Sequence, residues 1–65
     1  MAVKLYEKVN NIRTYMCDYD SEVDDAPTNT KNRPTDGCVE TFSQLLSAEG
    51  GVWLFNKAEN KWKPY

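Results

Sequence analysis

Apolar and polar side chains alternate along much of residues 2–19, which is the pattern of a β-strand with one buried face. The second half of this segment is rich in β-branched and aromatic residues, which favour strands. Asn10 and Asn11 separate the two halves, and asparagine tolerates the positive φ of a tight turn. The segment is therefore predicted to form a β-hairpin. A helix over residues 3–13 is the alternative, because its apolar positions partly fit a period of 3.6 residues.

Residues 20–37 are acidic at their start, and residues 28–37 carry no apolar residue except Pro34. Ser21 and Asp24 resemble a capping box, which predicts one short helical turn that Pro27 ends. Residues 28–36 offer no apolar anchor, so we expect a long polar loop that is exposed and mobile, or ordered only by a partner. The candidate contact residues of this loop are Thr28, Asn29, Lys31 and Arg33.

Residues 38–65 return to a β pattern. Residues 38–43 are a strand candidate, and residues 44–51 are predicted to be a connection that a glycine pair closes. Residues 52–55 and 61–63 are predicted to be the two arms of a terminal hairpin.

The predicted terminal hairpin carries both tryptophans of the chain. A four-residue turn between its arms would pair Phe55 with Trp62, and Trp53 would then lie on the same face, because side chains alternate across a strand. We expect Trp53, Phe55, Trp62 and Tyr65 to pack in the core or in a subunit interface. A platform on which a sugar stacks is the alternative, since aromatic rings offer flat apolar faces.

The length of the chain limits its core. Sixty-five residues form one small domain, which buries only ~60% of its unfolded surface and usually needs a disulfide, a metal or a partner chain. There is no histidine and no Cys-x-x-Cys pair, so a zinc site lacks ligands. Cys17 and Cys38 could form one disulfide, but one bond is far from the density of a disulfide-stabilised scaffold, and we predict that both are buried reduced thiols. A partner chain is therefore the expected source of added stability.

Charge and motifs argue against several classes of protein. The net charge of −2 does not provide the basic field that nucleic acid needs. No apolar run reaches the ~18 residues of a membrane span, and the first residues do not follow the pattern of a signal peptide. A histidine base and a recognisable nucleophile motif are both missing. We expect no catalysis, no cofactor, no metal and no small-molecule substrate.

Two stretches resemble a known group of proteins. "YMCDYDSEVDDAPTNT" (Tyr15–Thr30) has an aromatic strand that ends in Cys-Asp, an acidic turn and then Pro-Thr. "DGCVETFSQLLSAEGGVWLFNKAENKWKPY" (Asp36–Tyr65) has a glycine, strands with an aromatic-aliphatic-aromatic core, a turn with asparagine and a Lys-Trp-basic end. Together they resemble short proteins encoded among the virion structural genes of tailed phages and prophages, which are small, β-rich and not enzymes.

The resemblance implies a non-enzymatic accessory part of the head, neck, tail or fibres, made in the cytoplasm of a host bacterium and assembled into the virion. Its partners would be other virion structural proteins and copies of itself. The expected fold is one mainly all-β domain of four to five short antiparallel strands with a long polar loop, in an oligomer. A phage-encoded binder that inhibits a host protein through residues 27–37, or a glycan-binding module, are the alternatives.

Overall fold

The computed structural model describes residues 3–65. Its five strands form one sheet, and strands that follow each other in the chain are neighbours in the sheet. The strands are β1 (Lys4–Val9), β2 (Ile12–Cys17), β3 (Gln44–Ser47), β4 (Val52–Asn56) and β5 (Lys61–Pro64). The only helix in the described residues is a 3-10 helix, Asp20–Asp25. The prediction of a small, mainly β domain is confirmed.

β1 and β2 form the predicted hairpin. Val9 pairs with Ile12 across the turn, and Asn10 and Asn11 adopt φ values of 51° and 68°. Both values lie in the left-handed region that a two-residue hairpin turn requires. The alternative of a helix over residues 3–13 is therefore wrong.

β2 and β3 are parallel, which corrects the prediction of antiparallel strands only. Thr14 pairs with Gln44 and Cys17 with Ser47 in the same direction. A parallel pair needs a crossover of a dozen or more residues. Residues 18–43 provide it, with the 3-10 helix followed by the polar loop.

The third strand was misplaced by sequence analysis. Residues 38–43 are not a strand, and β3 instead occupies residues 44–47, which were predicted to be a connection. The Val39 side chain is fully buried, and its amide donates to Asn29 Oδ1 at 2.6 Å. This amide is therefore bonded to the polar loop and not to a neighbouring strand. A turn then follows, in which the Ser43 amide donates to the Glu40 carbonyl.

β4 and β5 form the terminal hairpin in the predicted register. Phe55 pairs with Trp62 and Asn56 with Lys61, around a four-residue turn in which Asn60 has a φ of 54°. β3 and β4 are joined by a short turn that includes Gly50 and Gly51. A Cβ on Gly51 would lie 2.4 Å from Asp20 Oδ1 and from the Trp53 ring, so only glycine fits this position.

The sheet has an inner face that the crossover covers and an outer face that it leaves open. The inner face carries Arg13, Tyr15, Cys17, Leu45, Ser47, Trp53, Phe55 and Trp62, most of which are buried. The crossover contributes Val23 and Ala26 to this core. The molecule is therefore two layers thick, and its core lies on one side of the sheet.

The crossover is ordered by polar contacts. The Glu22 carboxylate accepts from the amides of Asp18 and Tyr19, so the predicted helical turn exists but its cap is not Ser21 with Asp24. Thr28 and Asn29 are half-buried, which corrects the expectation that the loop is wholly exposed.

Candidate functional site

The outer face of the sheet is a candidate contact site. It carries the apolar residues Val9, Ile12, Met16, Leu46, Val52 and Leu54 and the polar residues Lys4, Glu7, Thr14, Gln44, Asn56, Lys61 and Lys63, which alternate in sequence with the inner face. Val9 is 52% exposed and Ile12, Met16 and Leu54 are each close to 40% exposed. Apolar side chains thus face solvent in separate rows, and the row that contains Thr14 and Gln44 lies between them.

Tyr6 and Phe42 extend the outer face. A bulge in β1 between Leu5 and Glu7 places Tyr6 beside Glu7 and Met16, and the tyrosine is 69% exposed. Phe42, just before β3, lies beside Leu54 and is 73% exposed. Both rings add flat apolar area, which is the usual anchor of a protein interface.

The predicted aromatic cluster lies on the inner face. Phe55 is 2% exposed and its ring centroid lies 5.2 Å from that of Trp62, which also meets Tyr15 edge to face at 5.8 Å. Trp62 Nε1 donates to the Pro27 carbonyl at 2.8 Å. These rings hold the crossover on the sheet, so their faces are not free for a sugar.

Trp53 and Tyr65 differ in position. Trp53 is half-buried and packs against the core, as expected. Tyr65 is 90% exposed, so it is not a core residue. Its amide donates to the Val52 carbonyl, which continues the β4–β5 pairing by one residue.

Part of the candidate contact loop forms hydrogen bonds within the chain. Thr28 Oγ1 accepts from the Lys31 amide, and the Asn29 amide donates to Asn60 Oδ1 at 2.9 Å. Lys31 and Arg33 are exposed, and Lys31 Nζ donates to the Asp24 carbonyl. Thr28 and Asn29 are uncharged and half-buried, so Lys31 and Arg33 are the two predicted residues that present a charge to solvent.

Arg13 is the polar residue that sequence analysis missed. It is 2% exposed, and its guanidinium donates to the Cys38 carbonyl and, at 2.7 Å, to Asp36 Oδ1. Lys8 also donates to Asp36, and together Lys8 and Arg13 hold the pKa of that carboxyl at about 2. The available sequence signal was the spacing of two residues that places Arg13 on the same face of β2 as Tyr15 and Cys17.

The two cysteines are free thiols in different surroundings. Cys17 is buried, as predicted, and burial together with Glu22, Asp20 and Asp18 raises the pKa of its thiol. Cys38 is exposed, which corrects the prediction that both are buried. It lies in the crossover, outside the strands, and its sulfur accepts from Arg33 Nη2 at 3.5 Å.

Two kinds of site are missing from residues 3–65. No group of three cysteine, aspartate or glutamate side chains is placed to hold one metal ion. No helix in this part of the chain is long and apolar enough to cross a membrane.

Comparison with known proteins gives no relative. No protein-family model, no curated protein and no solved structure matches the chain.

Proposed function

We propose that this chain is a non-enzymatic accessory component of a tailed-phage virion that acts through protein–protein contacts. The observation that carries the proposal is that the crossover covers the inner face of the sheet and leaves the outer face open. The virion itself is proposed from the resemblance of Tyr15–Thr30 and Asp36–Tyr65 to small β-rich virion proteins.

The composition of the outer face supports protein contact. Soluble monomers rarely expose a large contiguous apolar patch, and such patches with a polar rim mark interaction surfaces. Here Ile12, Met16 and Leu54 lie in the middle strands, and the charged Glu7 and Lys63 lie on the two edge strands. Covering apolar area of this kind gains ~25 cal/mol per Å².

The stability of a short chain supports the same proposal. A core of this size rarely supplies more than ~3–5 kcal/mol. The described core occupies one side of the sheet only, so a partner on the outer face would add a second apolar layer.

The proposed partners are other virion structural proteins and copies of this chain. The proposed location is the virion, after synthesis in the bacterial cytoplasm.

The other two candidate functions have less support from the described residues. A host-protein inhibitor that binds through residues 27–37 would have to use a loop whose Thr28 and Asn29 are already bonded internally. A glycan platform of Trp53, Phe55, Trp62 and Tyr65 would lose Phe55, which is 2% exposed and packs on Trp62 in the core.

The test is to measure the chain in purified particles of the phage or prophage that encodes it. We expect quantitative mass spectrometry to find several copies per particle. Ile12→Lys, which places a charge in the apolar part of the outer face, should reduce the copy number severalfold while circular dichroism shows a folded chain.

Tyr19→Lys is the matched control. Tyr19 is 62% exposed and precedes the 3-10 helix on the crossover side, so this variant should be incorporated like the wild type. Absence of the wild-type chain from particles would remove the virion proposal. Equal loss of both variants would remove the outer face as the contact surface.

A further inference from the structure

We infer that the outer face binds the outer face of a second copy of this chain, about a two-fold axis that runs along β3. The inference rests on the proposed function, because both assign protein contact to this face. It adds the occupant, the symmetry and the charged residues that pair between the two copies.

The strand register places five outer-face residues in one row across the sheet. Glu7 pairs with Thr14, Thr14 with Gln44, Gln44 with Leu54 and Leu54 with Lys63. The row therefore begins with an acid on edge strand β1, ends with a base on edge strand β5 and has Gln44 of the middle strand at its centre.

A two-fold axis along β3 reverses this row in the second copy. Glu7 of each copy then lies over Lys63 of the other, and Gln44 lies over its own equivalent. Such an isologous contact is self-complementary, since each pair occurs twice. A partner surface of uniform charge would instead repel one end of the row.

The neighbouring row is apolar at its centre and fits the same axis. Lys4 pairs with Met16, Met16 with Leu46 and Leu46 with Val52. Reversal places Met16 over Val52 and Leu46 over Leu46 of the second copy. This row would give the interface an apolar part beside the first row, whose ends are charged, and protein interfaces combine apolar and polar areas in this way.

Glu7 and Lys63 do not pair within one chain. They lie on opposite edges of a five-stranded sheet, so four strand spacings of about 4.8 Å place their backbones about 19 Å apart. Lys63 instead contacts Glu59 in the same chain, and both side chains are close to half exposed. An exposed pair of this kind is worth little, so Lys63 is available to a second copy.

The area of the face fits a dimer of modest affinity. A standard interface takes ~800 Å² from each partner, which is about a fifth of the 4316 Å² surface of this chain. The two longest dimensions of the backbone are 28 and 22 Å, so one flat side offers an area of this order. Sheets packed face to face are inclined by about 30°, which side chains as long as glutamate and lysine accommodate.

Sedimentation equilibrium of charge variants tests the inference. The wild-type chain should dimerise at high micromolar concentration. Glu7→Lys and Lys63→Glu alone should each raise the dimer dissociation constant about tenfold, because two attractive pairs become repulsive. An equimolar mixture of the two variants should recover wild-type affinity, because both contacts are attractive in the mixed dimer.

Asp24→Lys and Lys31→Glu are the matched controls. They change the net charge by the same amounts at the exposed 3-10 helix and in the exposed polar loop, both on the crossover, and should leave the dissociation constant unchanged. Far-ultraviolet circular dichroism should show that all four variants are folded. A monomeric wild-type chain at every concentration, or a mixture no tighter than its components, would overturn the inference.

Failure of this inference and failure of the proposed function are distinguishable. A chain that is present in particles but monomeric in solution would remove the two-fold contact and keep the virion function. A chain that dimerises with the expected charge dependence but is absent from particles would do the reverse.

Discussion

Arg13 shows how one residue can order a segment that lacks apolar anchors. It lies on the inner face of β2, where its guanidinium binds a carbonyl and a carboxylate of the crossover. Burying a charge is costly unless it is paired and hydrogen-bonded. The crossover supplies both partners, and in return the polar loop is held on the sheet.

Asp36 gives this contact a dependence on pH. Hydrogen bonds from Lys8 and Arg13 lower its pKa from 3.8 to about 2. Because the folded value is depressed, the stability that the ionised carboxylate contributes is fully present above the ordinary pKa and is lost as pH falls through about 4 to about 2. Asp36→Asn should therefore lower the melting temperature near neutral pH, and its difference from wild type should shrink across that window.

Thermal unfolding followed by circular dichroism measures this difference. Asp24→Asn, which removes an exposed carboxylate of the 3-10 helix, is the control and should change the melting temperature much less. A difference between Asp36→Asn and wild type that stays constant from about pH 6 to about pH 2 would contradict the assignment.

The two hairpins were predictable because their signals are local. Residues 2–19 carry alternation around an asparagine pair, and residues 52–63 carry aromatic residues around a four-residue turn. β3 was not predictable, since its parallel pairing joins residues that are distant in sequence, such as Thr14 with Gln44. The outer face was not predicted as a site because residues 44–47 were assigned to a connection. Without β3, the apolar residues of β2 and β4 are not placed on one face of one sheet.

The terminal hairpin is the main support of the core. Trp62 contacts Tyr15 and Phe55 and donates to Pro27, so Trp62→Ala should cost ~3–5 kcal/mol. That equals the stability expected of a chain this size, and circular dichroism should show an unfolded protein. Lys61→Ala, on the exposed outer face, should change the free energy of unfolding by less than ~0.5 kcal/mol. A Trp62→Ala chain with the wild-type melting temperature would refute this assignment of the core.

A hydrogen bond to the Asn29 side chain stabilises the crossover. Its Oδ1 accepts from the amide of Val39, which is fully buried. Asn29→Ala leaves that amide without a partner and should cost ~1–3 kcal/mol. Chemical denaturation measures the loss, with Thr35→Ala at an exposed position of the same segment as a control that should stay within ~0.5 kcal/mol of wild type. Equal effects of the two substitutions would mean that the loop is not held by this bond.

The whole molecule is a sheet with one covered face. Its inner face is closed by its own crossover. Its outer face carries apolar residues in the middle strands, with Lys4 and Glu7 on one edge strand and Lys61 and Lys63 on the other. We interpret this arrangement as an assembly surface. In a 65-residue chain, one sheet can serve both purposes because successive side chains point to opposite faces.

The most direct measurement is the alkylation rate of a thiol introduced on the outer face by Met16→Cys. Met16 is 38% exposed in the isolated chain, and the natural thiol of Cys38, on the crossover, reports on access elsewhere in the same molecule. The account predicts that the introduced thiol reacts readily in the dilute chain and at least about tenfold more slowly in purified particles, since a contact surface excludes water and reagent. An introduced thiol that reacts equally fast in both states would contradict the claim that the outer face is the assembly surface.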